Sequence, residues 1–174
     1  MNELEFLLSK VRDVPDFPKP GIVFKDITPL LQDPKALRVA CEALGRPFRN
    51  DGVTLVVGIE SRGFLFGPSV ATALDAGFAP ARKGGKLPWK TVTETYDLEY
   101  GTDRVEMHED AVRAGDQVLI VDDLIATGGT AAATVNLVKR MGGKVLGVSF
   151  LLELSFLEGR KRLAGLDVHS VLSI

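Results

Sequence analysis

Short, uninterrupted apolar runs are the feature of this sequence that most restricts its fold. The longest are VTLVVGIE at 53–60, VLIV at 118–121 and KVLGVSFLLEL at 144–154, and two weaker candidates are FAPARK at 78–83 and DVHSVLSI at 167–174. A continuous apolar run bounded by turn residues is typical of a β-strand that is covered on both faces. We therefore expect a sheet whose strands are mostly buried.

Helical patterns separate these runs. SRGFLFGPSVATALDAG predicts a turn and a helix after the first run, and a second helix is predicted from about Gly129 to Met141, where Lys139 and Arg140 precede a Gly-Gly stop signal. Strands that alternate with helices predict βαβ units with right-handed crossovers. The fold class is therefore α/β, a mostly parallel twisted sheet with helices on both faces, in a single domain spanning 1–174.

The first part of the chain departs from this alternation. Asn2 is a candidate cap for a short helix that reaches Lys10, after which the prolines of VPDFPKPG forbid helix and favour an extended path. The following IVFKDITPLLQDP is expected to be mostly loop. A helix is predicted over 34–48, with Asp33 as its N-cap and Pro34 at its first position.

Residues 84–104 are a second departure from the pattern. The stretch is polar and begins with glycines, TVTETYDLEY alternates in character, and Gly101-Thr102-Asp103 could turn the chain back as a hairpin. Long excursions inside a compact domain are functional or disordered, and the aromatic residues here argue against plain disorder. We interpret the region, about 84–108, as a flexible lid.

Composition excludes several classes of protein. The 174 residues carry 21 Lys and Arg against 23 Asp and Glu, a net charge of −2, without the basic excess that nucleic-acid binding usually requires. No apolar run approaches about 18 residues, so no membrane span is expected. The start of the chain lacks the features of a signal peptide, and the single cysteine excludes an internal disulfide. A cytoplasmic location is expected.

The stretch VLIVDDLIATGGT, residues 118–130, carries the strongest chemical signal. Ligands of open α/β sheets bind outside the carboxyl ends of the strands, where Asp122 and Asp123 are expected. Adjacent carboxylates repel unless hydroxyls, amides or a cation compensate, and a sugar diol with a hard cation nearby suits them. One of the two is expected to face the ligand more directly, because successive side chains of a strand point to opposite faces.

The glycines that follow predict a phosphate site. They let backbone N–H groups approach an anion, and the start of the next helix favours negative charge. Thr127 and Thr130 can add hydroxyl donors. The sequence contains neither GxxxxGK[ST] nor GxGxxG, so a P-loop kinase or a Rossmann dehydrogenase is not expected.

These motifs resemble the type I phosphoribosyltransferases, which use phosphoribosyl pyrophosphate (PRPP), and in particular the members that act on adenine. The segments that carry the resemblance follow the family's order: DFPKPGIVFKDITPLL, GIESRGFLFGPSVA, RKGGKLPW, YDLEYG, VDDLIATGGT and LLELSFLEGR. The resemblance implies a purine salvage reaction in which adenine and PRPP give AMP and pyrophosphate, assisted by Mg²⁺. It also implies a homodimer and a small N-terminal hood, about 1–33, that recognises the base.

The resemblance also implies a role for each matching residue. The 5′-phosphate would bind the loop Ala126, Thr127, Gly128, Gly129 and Thr130, and Asp122 and Asp123 would hold the ribose hydroxyls, directly or through hydrated metal. Mg²⁺ would be bound mainly by the substrate, which suits a cation that retains its waters. Ser61 and Arg62, in the segment Glu60–Gly63, and Arg82 and Lys86, in a basic cluster with Lys83, would bind pyrophosphate.

On the side of the base, the resemblance implies that Val23, Phe24 and Lys25 recognise adenine, Phe24 by stacking and its neighbours through backbone groups. Leu124 and Leu154 would form walls of the pocket. Glu99 would be the catalytic acid–base residue, with Tyr100 beside it, and Arg62 would assist catalysis by neutralising the leaving group.

Three alternatives remain open. A phosphoribosyltransferase for another base would share the PRPP motifs but not the base-recognition segment. A regulatory protein could keep the fold and bind PRPP without turnover, although such proteins usually carry an added DNA-binding domain for which this chain has no room. A generic nucleotide-binding α/β module would explain residues 122–130 but not the lid.

Overall fold

The computed structural model describes residues 2–97 and 101–174, and their contacts divide the chain into two compact units, Met1–Ala43 and Leu44–Ile174. The single domain, with a hood that ends near residue 33, stays a prediction.

The first unit is built from short elements. They are α1 (Glu3–Leu8), β1 (Arg12–Pro15), β2 (Val23–Asp26), α2 (Thr28–Gln32) and most of α3 (Pro34–Gly45). The predicted cap at Asn2 is confirmed, because its side chain accepts a hydrogen bond from the Glu5 N–H while the Glu5 carboxylate accepts one from the Asn2 N–H. The helix predicted from Pro34 is present as well, and it ends in a 3-10 turn over Arg46–Phe48.

The structure departs from the sequence analysis between residues 22 and 34. The segment predicted as mostly loop contains β2 and α2, and β2 pairs antiparallel with β1. Cross-strand ion pairs support this small sheet, since Lys25 Nζ lies 2.7 Å from Asp13 Oδ1 and Arg12 Nη2 lies 2.5 Å from Asp26 Oδ2. Strand β2 has four residues, of which only Val23 and Phe24 are apolar, so it is too short to stand out as an apolar run in the sequence.

The second unit contains one seven-stranded sheet. Its strands are β3 (Leu55–Ile59), β4 (Gly77–Lys83), β5 (Thr91–Asp97), β6 (Thr102–His108), β7 (Gln117–Ile125), β8 (Lys144–Glu153) and β9 (Asp167–Ser173), in the spatial order β5-β6-β4-β3-β7-β8-β9. The five strands from β4 to β9 in that order are parallel, whereas β6 is antiparallel to β4 and β5 to β6. The mostly parallel sheet is confirmed, and so is the hairpin.

Helices α4 (Gly67–Ala73) and α5 (Gly129–Arg140) connect the central strands. The crossover through α4 leads from β3 to β4 on one side, and the crossover through α5 leads from β7 to β8 on the other. Right-handed crossovers that diverge in this way lie on opposite faces of the sheet. The strands between them are correspondingly buried: β3 has no exposed residue, and Val118–Val121 of β7 are fully covered.

Strand β7 continues four residues beyond the run VLIV on which its prediction rested. Its pairing with β3 stops at Val121, but its pairing with β8 continues to Ile125, opposite Glu153. Asp122 and Asp123 therefore lie within the strand, on the part that extends past β3, rather than in a loop after it. No helix in the described part of the chain combines the length and apolar character of a membrane span.

Candidate active site

The fold brings the chemical motifs of the second unit together at one edge of the sheet. Strands β3 and β7 are parallel neighbours from which the two crossovers diverge, and this divergence opens a crevice at their carboxyl ends. Glu60–Gly63 follows β3, and the segment from Asp122 to Thr130 occupies the end of β7 and the start of α5. The two segments predicted to bind PRPP are thus adjacent.

The glycine-containing loop, Ala126–Thr130, encloses a pocket of about 120 Å³, and the rest of its lining is Asp122, Leu124, Ile125, Ala131 and Phe150. Gly128 has a φ of +79°, a left-handed conformation that glycine adopts without strain, and it immediately precedes α5. The first turn of this 12-residue helix carries no acidic side chain. Its unpaired backbone N–H groups therefore face a pocket suited to an anion.

Asp122 and Asp123 form a linked pair beside this pocket. The N–H of Asp123 donates to Oδ1 of Asp122 at 2.8 Å, and Oδ2 of Asp123 lies 2.9 Å from Nε of Arg62. That Oδ2 atom is buried and accepts no hydrogen bond of good geometry within the described residues. Its contact with Arg62 is therefore an ion pair whose donor and acceptor are not aligned as in a hydrogen bond. Gly63 permits the segment after β3 to lie close to β7, because a β-carbon at residue 63 would lie only 2.7 Å from the Val121 carbonyl oxygen.

Both carboxyl groups have raised pKa values. Burial raises the pKa of Asp122 well above its usual range, and the charge of Asp123 raises it further. Asp122 keeps some accessible surface where it lines the pocket, but surrounding protein atoms remove most of its hydration. Burial also raises the pKa of Asp123, against the opposing effect of the Arg62 guanidinium. The pair therefore favours partners that stabilise negative charge, such as hydroxyls or a hydrated cation.

Glu60 organises the basic cluster across the crevice. Its side chain is only 8% exposed, and its carboxylate lies 2.5 Å from Lys86 Nζ and 3.2 Å from Arg82 Nε. The N–H of Lys83 also donates to it at 3.0 Å. Burial raises the pKa of Glu60, but the Lys86 ammonium, the Lys83 N–H and the Arg82 guanidinium together lower it to about 2. Two of the predicted pyrophosphate ligands are therefore held by a carboxylate of the same chain.

A chain of polar contacts joins the loop to the hairpin. The Thr130 hydroxyl donates to the Tyr96 hydroxyl at 3.1 Å, which in turn donates to Asp103 Oδ2 at 3.3 Å. Lys83 Nζ lies 3.3 Å from the same carboxylate oxygen. Burial raises the pKa of Tyr96, so its hydroxyl stays protonated at neutral pH. Thr130, predicted as a phosphate donor, thus has a protein partner.

Comparison with known proteins identifies the family of the chain. The phosphoribosyl transferase domain family matches residues 27–163. The adenine phosphoribosyltransferase of Myxococcus xanthus is 59% identical over 96% of this chain and 91% of its own length. The chain belongs to the adenine phosphoribosyltransferase family.

Solved structures of the family extend the agreement to three dimensions. The adenine phosphoribosyltransferase of Rhodothermus marinus superimposes with a TM-score of 0.95 at 60% identity, covering 99% of this chain and 98% of that one. The Saccharomyces cerevisiae adenine phosphoribosyltransferase, complexed with an imino-altritol bisphosphate and adenine, gives a TM-score of 0.91 at 40% identity, covering 97% and 98%. The fold and the family predicted from the sequence are both confirmed.

The residues predicted to recognise adenine lie on β2 of the first unit. Val23 is 49% exposed, and Phe24 is half-buried with its ring 5.2 Å, centroid to centroid, from the ring of Phe17 in an edge-on arrangement. Lys25 pairs with Asp13. Its side chain is therefore committed to the small sheet, which is consistent with the expectation that this position acts through its backbone.

The remaining predicted residues lie in the second unit or outside the described part of the chain. Leu124 lines the pocket, and the N–H of Leu154 donates to the Ile125 carbonyl at 3.0 Å. Ser61 is exposed at the turn after β3, where the Glu60–Ser61 peptide bond is cis. Glu99 and Tyr100 lie outside the described residues, so the predicted acid–base residue and its neighbour stay predictions.

Three features of this site were not predicted from the sequence. Glu60 was expected in the pyrophosphate loop, but its pairing with Lys86 was not, and Tyr96 was expected only as an aromatic residue of the lid. From LLELSFLEGR only Leu154 was expected near the site, although Gly159 of that motif lies against the loop Ala126–Thr130. The motif itself was the available signal, since a glycine followed by arginine there had no assigned role.

Proposed function

We propose that this chain transfers the 5-phosphoribosyl group of PRPP to adenine, giving AMP and pyrophosphate in purine salvage. The observation that carries the proposal is a glycine loop at the start of a helix, next to the aspartate pair Asp122 and Asp123, at the switch point of a parallel sheet. Support for adenine comes from the family, whose yeast member has been crystallised with that base.

The 5′-phosphate would bind the loop Ala126–Thr130. Backbone N–H groups and the helix dipole provide positive potential there without a charged side chain. Asp122 and Asp123 would accept hydrogen bonds from the ribose hydroxyls. Two acceptors with raised pKa values suit a diol, because its hydroxyl donors replace the water that burial has removed.

The pyrophosphate group would lie against Ser61, Arg62, Arg82 and Lys86. Negative charge develops on this group as its bond to the anomeric carbon breaks, so cations placed there lower the barrier more than they stabilise the bound substrate. Arg62 is best suited to this role because its fork matches phosphate oxygens and Asp123 fixes its position.

The donor set also fits Mg²⁺ bound chiefly through the substrate. The carboxylates of Asp122 and Asp123 are hard oxygen donors, and Oδ2 of Asp123 is a buried acceptor without a well-aligned hydrogen bond. The described residues offer no cluster of three metal-ligating side chains. When bound, the ion would neutralise charge on the pyrophosphate, and the two aspartates would hold its hydration shell.

By the family resemblance, Val23, Phe24 and Lys25 would recognise adenine, and Leu124 and Leu154 would also contribute to its binding. Its ring nitrogen forms the new bond to the anomeric carbon, and the N–H proton that it loses would pass to Glu99. A homodimer completes the proposal and rests on the family resemblance, and a cytoplasmic location rests on the composition of the chain.

The test is formation of AMP from PRPP with Mg²⁺ and adenine, run beside hypoxanthine and guanine. We expect turnover with adenine alone. Turnover with another base would keep the PRPP site and overturn the assignment of Val23–Lys25. Saturable PRPP binding without turnover of any base would overturn the enzymatic proposal in favour of a regulatory protein.

A further inference from the structure

The segment that follows β8 packs its backbone directly against the phosphate loop, the name used from here on for Ala126–Thr130. A β-carbon on Gly128 would overlap the carbonyl oxygen of Gly159, and a β-carbon on Gly159 would overlap the carbonyl oxygen of Ala126. Neither glycine can be replaced without moving the other segment. The loop and the turn at residue 159 thus approach each other closely through main-chain atoms.

Arg160 fixes that turn to the sheet. Its Nε donates to both carboxylate oxygens of Glu153, at 2.7 and 2.8 Å, while Nη1 donates to the Val168 carbonyl at 2.5 Å and Nη2 to the Ser170 hydroxyl at 3.0 Å. The Glu153 side chain is 9% exposed. One guanidinium therefore binds the end of β8 and two positions of β9, which requires its planar arrangement of donors.

A series of contacts connects the strand before the loop to the backbone of the loop. Glu153 pairs in register with Ile125, the last residue of β7 and the one that precedes Ala126. Glu153 then holds Arg160, whose neighbour Gly159 returns to touch Ala126 and Gly128. This series of contacts therefore starts at the strand that leads into the phosphate loop and ends at the backbone of the loop itself.

A site made from backbone N–H groups needs such support. The loop has few side chains that could lock its conformation, and backbone donors bind a phosphate well only when they are held close to the productive geometry. Charge provides no substitute here, because residues 126–130 contain no cation.

We propose that Gly159, Arg160 and Glu153 are positioning residues that preset the phosphate loop for the 5′-phosphate. The inference rests on the proposed function of that loop. It predicts that disturbing the brace, defined as these three residues, weakens recognition of the phosphoribosyl group specifically, while recognition of the free base is unchanged.

The principal test is Gly159→Ala, assayed for kcat, for KM of PRPP and of adenine, and for melting temperature. We expect KM for PRPP to rise by about tenfold or more, since small misplacements of binding groups have large effects, with KM for adenine within about twofold. The matched control is Gly147→Ala, at a glycine of β8 that lies outside the brace. Its β-carbon would meet the Phe48 ring and lie 2.9 Å from the Asp167 carbonyl oxygen, so it should lower the melting temperature without changing KM for PRPP.

Two further variants separate positioning from general stability. Glu153→Gln keeps the shape of the side chain but weakens the ion pair, and Arg160→Lys keeps the charge but loses the fork. Both variants should have a lower affinity for ribose 5-phosphate, measured by calorimetry. The loss should be larger for Arg160→Lys, because a lysine cannot reach three acceptors in a plane. Affinity for ribose 5-phosphate equal to wild type in folded Gly159→Ala and Arg160→Lys would overturn the inference, as would equal increases in both KM values. A wild-type protein without PRPP turnover would instead count against the proposed function.

Discussion

The two regions proposed to hold phosphate groups use opposite chemistry. The phosphate loop, Ala126–Thr130, has no charged side chain and offers backbone N–H groups at the start of α5. The leaving-group cluster, defined as Glu60, Arg62, Arg82 and Lys86, consists of charged side chains, and each cation in it contacts a carboxylate. One region is a fixed arrangement of dipoles, and the other is a set of ion pairs.

This difference corresponds to what each phosphate undergoes in the proposed reaction. The 5′-phosphate keeps its charge throughout, so it needs a stable holder and nothing more. The pyrophosphate gains charge as its bond breaks and must then depart. The cations of the cluster would stabilise the departing charge, and competition from Glu60 for Arg82 and Lys86 would limit how tightly the product is held.

Removing the central cation should have the largest effect. We expect Arg62→Ala to lower kcat by about 10²- to 10³-fold, the range seen when one group that stabilises transition-state charge is lost. Arg62→Lys should recover part of the loss, because it restores charge without the fork. The control is Arg38→Ala at an exposed position whose ion-pair distance, to Glu42, is 4.0 Å. Equal kcat for Arg62→Ala and Arg38→Ala would contradict the role given to the cluster.

PRPP binding by the loop should be sensitive to changes in backbone conformation rather than to changes in charge. Gly128→Ala combines a φ of +79° with overlap on Gly159, and we expect KM for PRPP to rise by roughly 10²-fold while kcat at saturation changes less. Gly165→Ala is a matched control, since Gly165 has a φ of +83° and no atom within 4 Å of its added β-carbon. Both variants carry similar backbone strain of about 1 kcal/mol. Only Gly128→Ala should show the increased KM for PRPP.

The sequence was sufficient to predict the position of the loop in the fold, because the elements that place it are contiguous. An apolar run, two aspartates, two glycines and a helix start are contiguous, and parallel pairing of buried strands places such a string at a known edge of the sheet. The apolar runs likewise predicted the central strands, although β7 proved longer because its last four residues pair only with β8.

The cluster could not be predicted in the same way. Glu60 and Lys86 are distant in sequence, and they meet because the β3–β4 register sets Ile59 opposite Ala81, which brings Glu60 beside Arg82. Strand order and register are global properties that no local pattern specifies. The same reason applies to Glu153 with Arg160 and to the pairing of the short strands β1 and β2.

Neutralising Glu60 should have a smaller effect, on KM for pyrophosphate, that shows whether Glu60 competes with this ligand for the cations. Glu60→Gln would release Arg82 and Lys86, so in the reverse reaction we expect KM for pyrophosphate to fall by roughly threefold, a shift under 1 kcal/mol that is in the range of a partly exposed ion pair. An increased KM would show instead that Glu60 holds these cations in place for the ligand.

The same residue predicts a dependence of stability on pH. The pKa of Glu60 is about 2 in the folded chain, below its ordinary value of 4.5, so its contribution to stability is complete above about pH 5 and is lost as pH falls through 4 towards 2. The shift corresponds to at most about 3 kcal/mol, and less after solvent screening of its half-exposed partners. Chemical denaturation at pH 7 and pH 3 should show a smaller difference for Glu60→Gln than for the wild type.

The smallest expected effect lies where the loop meets the hairpin. Tyr96→Phe removes the acceptor of the Thr130 hydroxyl, so we expect a loss of about 1 kcal/mol in the free energy of unfolding but a change in KM for PRPP below about twofold. Thr130→Val removes the donor itself and should raise KM more. If Tyr96→Phe raised KM as much as Thr130→Val does, the loop would depend on the hairpin for its geometry. Backbone dipoles alone would then not account for how it holds a phosphate, and the contrast with the ion-paired cluster would be weaker.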